Sequence, residues 1–97
     1  MHAVSRFYSG PGATELFDAL AAQKEDVQAQ IGSVPGFVSY TLFHSDDGGV
    51  SITVCQDKAG TDASLAVARD WIKQNLPNLT VNPPGVSEGE VILNVSA

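Results

Sequence analysis

Apolar and polar residues alternate with a two-residue period in two neighbouring arms of the chain. Val38, Tyr40 and Leu42 form the first series and Val50, Ile52 and Val54 the second. This is the signature of half-buried strands. Between the arms lies Asp46-Asp47-Gly48-Gly49, a turn sequence in which glycine accepts positive φ and aspartate caps its own turn. A two-residue loop would put the two series on opposite faces of the hairpin. A three-residue loop, Asp46-Asp47-Gly48 with Gly48 left-handed, puts all six on one face. The second arrangement is the expected one, with Leu42 opposite Ile52, Tyr40 opposite Val54 and His44 beside Val50. The other face then carries Phe37, Ser39, Thr41, Phe43, Ser51, Thr53 and Cys55. Its mixed character predicts that something else covers it, a second subunit in the first place.

Read in order, His2 to Ser9 alternates as a first strand, with His2, Val4, Arg6 and Tyr8 on one side, and Gly10-Pro11-Gly12 breaks it. Leu16, Phe17, Leu20, Val27 and Ile31 fall at helical spacing, so one helix is predicted over Ala13 to Ile31, stopped by Gly32. Val34-Pro35-Gly36 turns the chain into the hairpin. Thr61 is the expected N-cap of a second helix over about Asp62 to Leu76, with Asp62 in its first turn. Leu65, Ala68, Ile72 and Leu76 are its expected buried stripe, with Val67 and Trp71 adjoining, and Pro77 ends it. Pro77 to Gly85 should be irregular, and Val86 to Val95 should form a last strand. The order β-α-β-β-α-β is the split βαβ, or ferredoxin-like, α+β plan. Residues 1–97 make one domain, a four-stranded antiparallel sheet with two helices on one face.

Composition narrows the function classes. With 43% hydrophobic and 16% charged residues the chain is globular, not disordered. A formal charge of −6 disfavours nucleic acid and anionic membranes as partners. The five cations, Arg6, Lys24, Lys58, Arg69 and Lys73, are scattered along the sequence. The single cysteine, Cys55, allows no internal disulfide and reads as a small packing residue. No basic leader or long apolar run follows Met1, so the expected location is the cytoplasm, without a membrane span. The histidines, His2 and His44, are far apart and make no metal-ligand spacing, so no metal is expected.

Two stretches carry a family resemblance. Val34-Pro35-Gly36-Phe37, a proline-glycine turn between helix and strand, and Val54-Cys55-Gln56-Asp57-Lys58, a strand end opening a helix, resemble the dimeric α+β barrel superfamily. Within it they resemble the antibiotic biosynthesis monooxygenase-like proteins, in which tryptophan often stands where Cys55 is here. The resemblance implies a homodimer with sheets packed face to face. It also implies a pocket between sheet and helices, used by some members to oxidise a phenol or quinol with O2 and no cofactor. Other members degrade haem. That branch is rejected: Trp71 resembles its helix-two tryptophan, but no histidine follows, and its strand-one asparagine is missing from His2 to Ser9.

On that resemblance, Tyr8, Tyr40, Leu42, His44, Arg6 and Trp71 are the candidate pocket residues. The chemistry needs a base to form the electron-rich phenolate, a cation to stabilise it, and aromatic walls for a planar ring. His44 is the candidate base, its unperturbed pKa of about 6.5 being near working pH, with Tyr40 beside it. Arg6 is the candidate anion stabiliser, and Trp71, Tyr8 and Leu42 the candidate substrate-binding residues. Each has a plainer assignment: His44 a solvated histidine next to the Asp46-Asp47 turn, Tyr40 and Trp71 core residues with polar tips, and Arg6 half of a surface ion pair. The sequence therefore carries two functions, a cofactor-free monooxygenase acting on a small aromatic or polyketide-type phenol, and a non-enzymatic dimeric module that binds a small molecule or a protein.

Overall fold

The computed structural model describes residues 1–97. Its strands are β1 (His2–Ser9), β2 (Phe37–Ser45), β3 (Gly48–Cys55) and β4 (Gly85–Glu90), and its helices α1 (Ala13–Ala22), α2 (Lys24–Gly32) and α3 (Lys58–Asn75). All strand pairs are antiparallel, in the order β2-β3-β1-β4. This is the expected ferredoxin-like α+β sheet, with three helices in place of the expected two.

The hairpin register differs from the expected one by a residue. Ser45 pairs with Gly48, so the loop is the two residues Asp46-Asp47, and no residue in it has positive φ. Leu42 faces Ser51, Tyr40 faces Thr53 and His44 faces Gly49, with a bulge between Phe37 and Ser39. Tyr40 and Leu42 therefore lie toward the helices, while Val50, Ile52 and Val54 point away from them. Sterics at two glycines explain the choice. A Cβ on Gly48 would overlap the Tyr8 carbonyl, and one on Gly49 would overlap the Phe17 ring. The glycines are needed for their missing side chains, where α1 presses on the sheet. Phe17 lies over Gly49 between the rings of Tyr8 (centroids 5.6 Å apart) and His44 (6.2 Å).

The first predicted helix is two. The chain leaves helical geometry at Gln23 (φ −123°, ψ 36°), whose N–H still bonds to the Ala19 and Leu20 carbonyls. Leu16, Phe17 and Leu20 of α1 and Val27 and Ile31 of α2 join one core with Trp71 of α3. The α3 helix starts earlier than expected because Asp57, not Thr61, caps it: its carboxylate accepts from the Gly60 N–H at 3.0 Å. Thr61 is buried one turn inside, its hydroxyl donating to the Lys58 carbonyl at 3.1 Å and lying 2.8 Å from His2 Nδ1. His2 Nε2 stands 3.5 Å from Glu88, which also meets Lys58, so this cluster ties β1, β4 and the start of α3 together. The deeply buried face of α3 is Thr61, Ser64 and Trp71, with Leu65, Ala68, Ile72 and Leu76 only half-buried.

The last strand is shorter than expected. Its ladder with β1 ends at the His2–Glu90 pair and the Val91 N–H to Met1 carbonyl bond (2.9 Å). Beyond it Ile92, Leu93 and Val95 are exposed. The irregular stretch 77–84 that leads into β4 crosses beside α1, where Gly12 (φ 85°) lets the Thr80 carbonyl approach. No helix is long and apolar enough to cross a membrane.

Candidate functional site

Alternation in the observed register aims Arg6 and Tyr8 of β1, Ser51 of β3, and Tyr40 and Leu42 of β2 at the helices. Phe17, Ile31 and Trp71 pack over them, and the partly open cavity they line is about 20 Å³, room for a single water-sized molecule. Among the predicted site residues, Arg6, Tyr8, Tyr40, Leu42 and Trp71 come together in this lining. His44 does not. It stands at the sheet edge with about half its side chain exposed, Nε2 3.9 Å from Asp18. On the same strand face as Tyr40 but four residues on, it is roughly 13 Å farther along.

Arg6 dominates the electrostatics. It is 4% exposed, forms no ion pair within 4.0 Å, and its Nε is buried without a hydrogen-bond partner. The plainer assignment of Arg6 to a surface ion pair therefore fails. The Ser51 and Thr53 hydroxyls of the neighbouring strand are also buried without partners. Sites of this kind are uncommon because an unpaired buried donor forfeits its hydration, more so when charged. Burial also acts on Tyr40, pushing its phenol above the ordinary value of 10.0, with Arg6 opposing and Tyr8 reinforcing. Tyr40 thus stays a neutral O–H donor throughout the physiological range.

The sign of that shift gives a first prediction. A phenol whose pKa is raised by folding contributes stability that is complete below the unfolded value of 10.0 and is lost as pH rises through the raised native one. Stability should therefore fall above pH 10, and Tyr40→Phe should flatten the decline. Urea unfolding across that range checks it; an unchanged alkaline slope in the variant would contradict the shift.

Outside the inner cavity, the helix side of β1 opens into a groove of about 360 Å³ between α3 and the Pro77–Gly85 stretch. Arg6, Tyr8, Leu16 and Ile72 belong to both linings, and Arg69, Val81 and Asn82 are added from farther along the chain. Arg6 and Tyr8 had a sequence signal in their place on the β1 face that also carries Val4, and Leu16 and Ile72 in their helical spacing; Arg69, Val81 and Asn82 had none. The groove residues come from distant segments and share no local pattern. No group of three or more His, Cys, Asp or Glu side chains could hold a metal ion. Cys55 is buried at the far end of β3, and burial and then Asp57 push its thiol up, which suits a packing residue.

Trp71 is fixed by a hydrogen bond that the sequence did not announce. Its Nε1–H donates to Asp26 Oδ2 at 2.7 Å, joining α3 to α2 beyond the Gln23 break. A charge-assisted bond in a half-buried position contributes about 1–2 kcal/mol. Trp71→Phe should lower Tm by about 5–10 °C. Asp26→Ala should do the same, and the double variant should be little worse than either; additive losses in melting curves would show that the bond contributes nothing.

No protein-family model matches the chain, and no curated protein matches it. Solved structures do. The chain is 22% identical to the monooxygenase from the ActVA-Orf6 gene of Streptomyces coelicolor, solved with nanaomycin D, covering 99% of this chain and 90% of that one at a TM-score of 0.63. It is 23% identical to SnoaB, a cofactor-independent oxygenase from Streptomyces nogalater, over 99% and 96% of the two chains at a TM-score of 0.62. It is 18% identical to NE2512 from Nitrosomonas europaea, a protein of unknown function, over 99% and 92% at a TM-score of 0.68. At these identities the likeness shows the fold: a ferredoxin-like α+β domain shared with monooxygenase-like proteins.

Proposed function

We propose that the protein is a homodimer that binds a small hydroxy-aromatic molecule between its sheet and helices and oxidises it with O2, without a cofactor. The observation that carries the reading is Arg6, a buried cation with an unpartnered Nε at the boundary of the apolar cavity and the groove. A guanidinium held there favours the ionised hydroxyl, the form that gives an electron to O2. Tyr40, kept neutral, donates to the same oxygen or to the oxygen adduct. Tyr8, Leu42 and Trp71 supply the walls. The phenol gains one oxygen atom of O2 and becomes a quinone. The other oxygen leaves as water with two hydrogens from the substrate, so O2 is the sole oxidant. The hydroxyl proton leaves through the groove to solvent as the phenolate forms, and a proton returns from solvent to complete the water. His44, at its distance from Tyr40, serves at most in relaying it. The ActVA-Orf6 monooxygenase and SnoaB support the chemistry by shared fold.

Oxygen uptake with a panel of naphthols and anthrones tests it. Uptake that falls at least tenfold in both Arg6→Met and Tyr40→Phe is expected for a step that depends on these groups. Uptake unaffected by both would overturn the assignment.

The dimer rests on the outer sheet face, where Phe7 and Phe43 (47% exposed each) and Ile52 (37%) stand with Val50 and Val54. Phe37, expected there, packs against the core instead because of the bulge. An apolar sheet face of this kind is covered by a second copy. A monomeric mass by light scattering at micromolar concentration would refute it.

A binding module without turnover is the second reading. It is favoured by the lack of any imidazole or carboxylate among the residues lining the cavity and the groove. A ligand that saturates the site and is recovered unchanged, with no oxygen consumed, would establish it.

A further inference from the structure

We infer that the groove between α3 and the Pro77–Gly85 stretch is a carboxylate-binding subsite, with Arg69 as its outer cation, so that the ligand is a hydroxy-aromatic acid. This deepens the proposed function and rests on it for the aromatic part of the ligand alone.

Charge distribution is the first argument. The chain carries eleven acidic residues against five Lys and Arg, yet the groove is lined by two arginines and no carboxylate. Neither arginine forms an ion pair within 4.0 Å. On α3 the positions one turn either side of Arg69 are Leu65 and Lys73, and its sequence neighbour Asp70 neither pairs with it nor lines the groove. Arg6 adds a buried, unpartnered donor at the floor. In an acidic protein such an arrangement concentrates positive charge in a lining without a carboxylate.

The donor set selects the class of anion. Guanidinium groups match the planar, two-oxygen carboxylate edge to edge. A phosphate with three oxygens needs further donors, typically backbone N–H groups. Here the wall includes Pro83 and Pro84, which have no N–H, and the remaining neutral polar side chain beside Tyr8 is Asn82. Leu65, Ile72, Val81 and Val86 make the rest apolar. Some 360 Å³ lies in the range of small-molecule sites, whereas the inner cavity alone does not. A ligand with its hydroxyl toward Arg6 and its carboxylate toward Arg69 uses both cations.

The test compares a hydroxynaphthoic acid with its uncharged amide by calorimetry and Trp71 emission. Wild type, Arg69→Gln and Arg69→Lys are compared, with circular dichroism confirming the fold. Arg69 is exposed, so its replacement leaves the core intact. The acid should bind about tenfold or more tightly than the amide, the margin of one charge-assisted pair. The margin should shrink as salt is raised. Arg69→Gln should abolish it without changing the amide's affinity, and Arg69→Lys should keep part of it. Equal binding of acid and amide, or a margin that survives in Arg69→Gln, would overturn the subsite and leave the aromatic site standing. Absence of binding by either compound would overturn both.

Discussion

Gly49→Ala is expected to destabilise the protein by about 2 kcal/mol, a fall in Tm of about 10 °C, although alanine is the better strand former. Gly49 faces the helices, paired with Tyr8 on one side and His44 on the other. The Phe17 ring rests on it, and an added Cβ would overlap three of the ring atoms. Phe17 is 3% exposed and flanked by both neighbouring rings, so it can move away only by repacking the core and the small cavity it lines. Gly89→Ala is the control, because a Cβ there meets nothing within 4 Å; it should be neutral or slightly stabilising. Gly49→Ala combined with Phe17→Leu should be less harmful than the two single losses added, since the smaller side chain relieves the overlap. Strict additivity in denaturant titrations would show that the ring is not what the glycine accommodates.

The same glycine shows where sequence reading stops. Alternation in β2 and β3 was legible, and it located both strands, but a strand's apolar series reports burial without saying under what. On β3 the series Val50, Ile52 and Val54 faces outward, and the side under the helices is Ser51, Thr53 and Cys55. Small residues there leave room for the rings of Phe17, Tyr40 and Trp71. A face that is small and partly polar does not read in sequence as the one under the helices, hence the misplaced register. The break at Gln23 was hidden for a related reason: Leu16, Leu20, Val27 and Ile31 keep a helical period across it. Asp57 and Thr61 are both residue types that cap helices, and only the fold selects Asp57. The true start at Asp57 was masked by Gly60, a poor helix former that is required here because a Cβ would press on Cys55 Cβ at 2.7 Å. In the last strand alternation continues to Val95, past the point where β1 offers pairing. For the site, Arg6 and Tyr8 were legible as one face of β1. Arg69 and Asn82 were not, since only the fold brings α3 and the Pro77–Gly85 stretch to opposite sides of one groove.

Arg6→Met is expected to raise stability while removing function, a combination that separates a functional cation from a structural one. Methionine fills much of the volume of the arginine stem and carries no charge to desolvate. Breaking a buried ion pair destabilises because the abandoned partner stays behind; Arg6 has no such partner, so its removal leaves no orphaned carboxylate. The gain should be about 1–3 kcal/mol, seen as a Tm higher by about 5–15 °C. Binding of hydroxy-aromatic anions should weaken by at least about tenfold, and oxygen uptake with it. Arg6→Lys keeps the charge without the planar fork and should fall between the two. The outcome that defeats the argument is a variant less stable than the parent that still binds its ligand equally well. Arg6 would then be held by its own surroundings, serving the fold. Retention of a cation that lowers stability is intelligible only if something anionic is meant to arrive beside it.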